Sequence, residues 1–324
     1  MVAAQTRPIA TTLGPDNVTR SATLSVLTYN IEGLAWPARS GRKSDLRLIA
    51  QHLASLRAAD KAPDIVMFQE VFSGRAKRAA LNTGYPVIVH GPTRTTPRPA
   101  SFEQKLPGQR SIRRGELGIR LTGSGLVIAS VYPVDLTETQ AYGRRSCAGI
   151  DCLANKGIML ARISIPGVPT PVDLYDTHMN SREASKAPPA RNREAHARQS
   201  VEASAFINNS HDDRFPIVFG GDFNMRHSQP RWDNFTRYQP MELVHRACMA
   251  PKSSCDVQMS WDGDAPWVDT QDLQFFQSGD RVRIEPIRVE ALFDGGKNGP
   301  VLSDHDGFMV TYRLTWREDG QFPL

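Results

Sequence analysis

Short apolar runs alternate along this chain with polar stretches and with two longer segments of helical period. Residues 26–29, 65–68, 172–175 and 217–219 are apolar enough to read as buried strands. Between the first two, Leu46, Ile49, Leu53 and Leu56 recur at helical spacing. That spacing predicts a helix capped by Ser44 and ended by Pro63 and Asp64. The middle predicts strands over 115–134, 155–165 and 171–177, separated by Gly and Pro turns as in antiparallel pairing. A second long helix is predicted over 190–208, with Ala197, Val201, Ala205 and Phe206 as its inner face, and Phe215 and Pro216 open the next strand. The last third predicts a short helix near Trp232 and strands over 281–293 and 307–314. Residues 1–23, rich in Thr, Ala and Pro without periodicity, read as an extended or disordered lead-in. Residues 24–324 then form a single domain, since no Gly-rich linker divides them.

Strands of both pairing types with helices between them predict an α/β fold in which two packed mixed sheets share one core. Composition agrees: 324 residues with 40% hydrophobic and 23% charged suit a globular chain rather than a disordered one. The longest apolar stretches fall far below the roughly 18 residues that span a bilayer. Residues 1–21 lack the apolar core of a signal peptide, so either there is no export signal or it has been removed. The formal charge of +5 arises from 39 basic against 34 acidic residues, so its local distribution matters more than its total. Arg94, Arg98, Lys105, Arg110, Arg113, Arg114 and Arg120 crowd one Pro- and Gly-containing stretch. A solvated loop and an anion-binding arm both remain open for it. Four cysteines fall as local pairs, Cys147 with Cys152 and Cys248 with Cys255, at spacings that do not suit a zinc site. Oxidised pairs would place the protein in a secreted or periplasmic setting, with the cytoplasm left open if they are reduced.

Polar residues of chemical use close the apolar runs: Asn30, Glu70, His178, Asn180, Asp222, Asn224, Asp304 and His305. Gly220 and Gly221 permit close backbone approach, and alternation sets Asp222 and Asn224 on one side with Phe223 turned away. Asp304 beside His305 pairs a carboxylate suited to a hard cation with an imidazole that can move a proton. Glu70 ends an otherwise apolar strand, where a bound cation would offset the cost of burying its charge. Each feature alone has an ordinary reading: an Asx turn, a core histidine, an exposed strand end. Together they form an ordered series at strand ends.

In that order the series resembles the endonuclease/exonuclease/phosphatase superfamily, the metal-dependent phosphodiesterases related to DNase I, sphingomyelinases and inositol polyphosphate phosphatases. The resemblance covers residues 24–314 and implies a DNase I-like four-layer α/β/β/α sandwich with the site at one rim of the paired sheets. It implies that Glu70 holds a catalytic Mg2+, or Mn2+, with Asn30 and Asp304. Asp222 and Asn224 would orient water and phosphate, and His178 and His305 would bind phosphate oxygens and move protons. Asp272 is the match for the family's Asp that orients the final His, although Leu273 and Gln274 depart from the usual pattern. The chemistry is coherent: phosphodiester hydrolysis needs charge neutralisation, an in-line water and stabilisation of the leaving oxygen.

Residues 124–133, Asp151 and residues 155–161 further resemble sphingomyelinase-like members, which makes Lys156 a candidate phosphate ligand and Asp151 its positioning partner. Against this, residues 294–302 are short and lack the aromatic-tipped hairpin of secreted bacterial sphingomyelinases; Trp261 and Trp267 are alternative interfacial anchors. The expectation is a monomeric hydrolase of a phosphate ester, phospholipid or nucleic acid, with peripheral membrane contact and no transmembrane segment. A DNase I-like nuclease and a soluble inositol or sugar phosphate phosphatase are the competing readings, and a catalytically dead binding protein is the reading from another class.

Overall fold

A computed structural model describes residues 9–34, 39–260 and 265–319. In the first half the strands are β1 (Thr12–Leu13), β2 (Thr19–Asn30), β3 (Ile65–Gln69), β4 (Val87–His90), β5 (Val127–Ser130), β6 (Val134–Ala141) and β7 (Gly157–Ile163). The second half adds β8 (Val172–His178), β9 (Ile217–Asp222), β10 (Glu242–Leu243), β11 (Asp256–Gln258), β12 (Asp272–Gln277), β13 (Arg283–Leu292) and β14 (Gly307–Arg317). The helices are α1 (Arg42–Ala58), α2 (Gly74–Leu81), α3 (Pro189–Ser210), α4 (Gln229–Tyr238) and α5 (Val244–Met249).

One sheet runs β11-β13-β14-β2-β3-β5-β4, with β1 paired to β2; the other runs β10-β12-β9-β8-β7-β6. Both are mixed, because β2 with β3 and β8 with β9 are parallel while most other neighbours are antiparallel. The sheets pack face to face. Met159, Leu174 and Val218 of one join Val26, Met67 and Val310 of the other in a common core. Leu46, Ile49 and Leu53 of α1 and Ala76 and Ala79 of α2 cover the first sheet. Phe206 of α3 and Trp232 and Phe235 of α4 cover the second. The result is the expected α/β/β/α layering.

Polar side chains also lock the sheets together. Gln274 donates to the carbonyls of Val26 and Phe308 and accepts from the Tyr312 hydroxyl at 2.8 Å. Gln69 donates to Asp176 at 2.7 Å. Such buried bridges fix register, because a slip would leave each group unsatisfied. Gly220 matters here: a Cβ at that position would lie 2.6 Å from Thr28 Oγ1 and 2.7 Å from Met67 Sδ.

Several elements depart from the sequence expectations. β2 begins at Thr19, ahead of Leu24, because residues 19–23 pair with residues 313–317 of β14; residues 1–8 of the expected lead-in lie outside the described residues. α1 starts after Gly41, whose φ of 78° turns the chain, so Ser44 sits inside the first turn rather than capping it. α3 has the predicted span, but its buried face runs through Ala195, Gln199, Glu202 and Phe206, while Ala205 is exposed. That face is polar because Glu202 accepts from Gly143 N and Ser146 Oγ, and Gln199 donates to the Ser146 carbonyl. Residues 115–126 form irregular chain instead of a strand. Both disulfides, Cys147–Cys152 and Cys248–Cys255, are formed.

Candidate active site

Register gathers the strand-end residues at one rim. His178 at the end of β8 pairs with Asp222 at the end of β9, which pairs with Asp272 at the start of β12. Asn30 ends β2 on the facing sheet, and Glu70 follows β3. The sheets meet through chemistry at this point: Asn30 Nδ2 donates to Asp222 Oδ2 at 3.0 Å.

The local backbone is held in uncommon geometry. Glu70 has φ 61°, Asn224 φ 54° and nearby Glu32 φ 48°, left-handed conformations that cost a non-glycine residue on the order of 1 kcal/mol or more. The turn at Asn224 orients Asp222, whose Oδ1 accepts the Asn224 backbone N–H at 3.0 Å. Phe223 points away into a cluster with Phe219, Phe235 and Phe275. That packing anchors the strand end from behind.

Burial sets the protonation chemistry. Desolvation raises Asp222 to about 6, opposed by the charges of His305 and Lys156. Desolvation likewise pushes Glu70 up to about 7, again opposed by Lys156. His178 is held well below the ordinary imidazole range by burial and then by the positive charges of Lys156 and His305, so it is neutral. His305 behaves oppositely. Burial disfavours its charge, but Asp272, bonded to Nδ1, outweighs that and raises it well above the ordinary value. His305 therefore carries a proton near neutral pH.

Lys156 is locked by three partners: the Met179 carbonyl at 2.8 Å, His178 Nε2 at 2.9 Å and Asp151 Oδ2 at 3.1 Å. These match the three hydrogens of an ammonium group. Asp151 also accepts the Ser181 N–H at 2.5 Å, which ties it to the loop after β8. His178 Nε2 lies 3.4 Å from Asp222 Oδ2 and 3.9 Å from Glu70 Oε1. Asp151, Lys156, His178, Asp222, Glu70 and Asn30 are thus linked by a chain of close contacts.

Other expected residues have different surroundings. The side chain of Asp304 is 53% exposed and meets Arg39 Nη2 at 3.3 Å. Asn180 turns its side-chain oxygen to the Ala148 N–H at 2.9 Å and serves the loop. Asn224 Nδ2 donates to the Met179 carbonyl at 3.2 Å. Trp267 is half-buried, with the Arg246 guanidinium over its ring, and Trp261 lies outside the described residues.

Sequence reasoning passed over Arg231. Its buried guanidinium donates to the carbonyls of Asn180 at 2.8 Å and Asn224 at 2.6 Å and also binds Asn192. It clamps the loops after β8 and β9, yet in sequence it is one more arginine on a short helix. Gln271, 3.4 Å from His305 Nε2, was likewise unmarked.

Among the described residues no three His, Cys, Asp or Glu side chains form a ready metal cage. Glu70 Oε2, however, is buried without a hydrogen-bond partner. A desolvated carboxylate oxygen of that kind, on a residue whose carboxyl also meets the Asn30 side chain, is hard-oxygen chemistry that fits Mg2+ or Mn2+.

The family model for the endonuclease/exonuclease/phosphatase family matches residues 27–282. A comparison with curated protein sequences gives no match. Among solved structures, the chain is similar to a variant of beta toxin from Staphylococcus aureus with bound magnesium ions, at 19% identity, TM-score 0.58, and coverage of 89% of this chain and 98% of that one. Sphingomyelinase C from Streptomyces griseocarneus gives 19% identity, TM-score 0.56, and coverage of 89% and 99%. TDP2 of D. rerio complexed with single strand DNA product gives 14% identity, TM-score 0.56, and coverage of 90% and 98%. At these identities the structures establish a shared fold, and the matched model establishes membership. The chain belongs to the endonuclease/exonuclease/phosphatase family and is a phosphoric ester hydrolase.

Proposed function

We propose that this chain is a secreted, Mg2+-dependent phosphodiesterase of phospholipids, of the sphingomyelinase kind. The observation that carries the reading is the Asp151–Lys156–His178 contact set, because a loop Asp and a Lys at this separation are what sphingomyelinase-like members would bring to the site. The two disulfides support an oxidising compartment.

Glu70 and Asn30 would hold the cation, with Asp304, half-exposed and paired with Arg39, as the third ligand the family resemblance implies. When bound, a hard divalent cation supplies Lewis-acid stabilisation of charge on the phosphate. The remaining chemistry belongs to side chains. Asp222, raised to about 6, is ionised near neutrality yet basic enough to accept a proton from the attacking water. Asn30 and the Asn224 N–H hold its two oxygens in place. His305 keeps its proton through Asp272 and presents positive charge to a phosphate oxygen or a proton to the leaving group. Lys156 holds neutral His178 beside Asp222 and adds positive charge to the site.

Hydrolysis assays with Mg2+ on sphingomyelin vesicles, duplex DNA and a soluble phosphate ester test this reading, with His305→Ala as control. Sphingomyelin should be cleaved by the parent and spared by the variant. Cleavage of DNA alone would overturn the substrate assignment.

A further inference from the structure

The basic stretch singled out in the sequence plays no part in the chemistry above. It builds a cavity of about 610 Å³ whose walls carry Arg98, Lys105, Arg110, Arg120, Arg144 and Arg145. Arg191 also lines it and is neutralised by Glu116 through two contacts at 2.8 Å. None of the other six forms an ion pair among the described residues. Neutral acceptors hold several of them instead: Arg98 donates to the carbonyl of Ala154 and to Asn155 Oδ1, Arg110 to the carbonyl of Glu116, and Arg120 to the carbonyl of Thr96. Gathering like charges against neutral oxygens costs stability unless an anion offsets it.

The same stretch exposes apolar side chains. Ile112, Leu117, Ile119 and Leu121 are between 45% and 63% exposed. Alternation separates two surfaces: Glu116, Gly118 and Arg120 line the cavity, and Leu117, Ile119 and Leu121 face solvent. Ile112 is flanked by the exposed Arg113 and Arg114. An apolar patch set among unpaired arginines suits a surface that is apolar below and anionic at its face. Residues 110–121 contain no aromatic side chain on which bases could stack, which disfavours a single-stranded nucleic acid.

The patch adjoins the site. A Cβ on Gly115 would lie 2.7 Å from Ile150 Cα, and Leu121 N donates to the Leu153 carbonyl at 2.7 Å. Ile150 and Leu153 flank Asp151, which holds Lys156.

We infer that residues 110–121 and the arginine-lined cavity form a docking surface for a membrane containing anionic phospholipid, with the apolar side chains entering the interface and the cavity taking headgroup phosphates. This deepens the phospholipid reading of the site and rests on it. The test is co-flotation of the full chain, in EDTA, with vesicles of phosphatidylcholine alone or with phosphatidylglycerol added. Two variants leave the catalytic residues untouched: Leu117→Ser with Ile119→Ser, and Arg144→Glu with Arg145→Glu. Binding should require phosphatidylglycerol and fall about tenfold or more in each variant, with melting unchanged. Equal binding to both vesicle types, unchanged binding in both variants, or binding to DNA but not to vesicles would overturn the proposal. Hydrolysis of a soluble phosphodiester, measured on the same preparations with Mg2+ in place of EDTA, reports on the catalytic reading separately: its absence with docking intact would sink that reading alone.

Discussion

His245 illustrates how one buried side chain sets acid stability. It stacks on Phe308 with ring centroids 4.7 Å apart, and burial lowers it to about 3. In the unfolded chain its value returns to about 6.5, so between these values the unfolded state binds the extra proton. Its contribution is complete above pH about 6.5 and is lost progressively as pH falls towards 3. Denaturant titrations across this range should show that His245→Phe reduces the acid slope by about 1.4 kcal/mol per pH unit. Parallel curves for parent and variant would remove His245 from the account. His178 and His196 are also depressed by burial and add slopes of the same sign. At this scale the sequence was informative wherever a polar residue ended an apolar run, as with Glu70 and Asp222. It was silent on Arg231, because a loop clamp depends on two carbonyls brought together only by folding.

Among the elements, β9 carries the site most directly. Gly221 has φ 145°, and a Cβ there would meet the Thr177 carbonyl oxygen at 2.2 Å and Thr177 N at 2.9 Å. Both atoms are backbone of the neighbouring strand and cannot rotate away. Gly221→Ala should destabilise the fold by about 3 kcal/mol and displace Asp222, which thermal melting and activity will read together. A parent-like melting curve would contradict the close approach of β8 and β9. Strands buried on both faces, such as β3 and β9, were legible because nothing but a core suits their composition. Residues 115–126 misled for a physical reason: Leu117, Ile119 and Leu121 alternate like a strand, but their alternation divides solvent from the cationic cavity. The inner face of α3 was obscured because it binds loops through Gln199 and Glu202 rather than through apolar contact.

For the whole molecule, the facing sheets matter because neither alone contains the proposed site. Asn30 and Glu70 come from one sheet, and His178, Asp222 and Asp272 from the other. The apolar pattern predicted two packed sheets, and the strand-end residues carried the family resemblance; neither conveys the cavity, which depends on residues 97–191 meeting around one space. Calorimetric titration of Mg2+ into the parent and Glu70→Gln, with hydrolysis measured on the same samples, is the most direct test of the account. The parent should bind Mg2+ and lose activity in EDTA. Glu70→Gln should melt like the parent while losing at least about tenfold in Mg2+ affinity and about 100-fold in rate. Full activity in EDTA, or parent-like Mg2+ binding and turnover in Glu70→Gln, would contradict it.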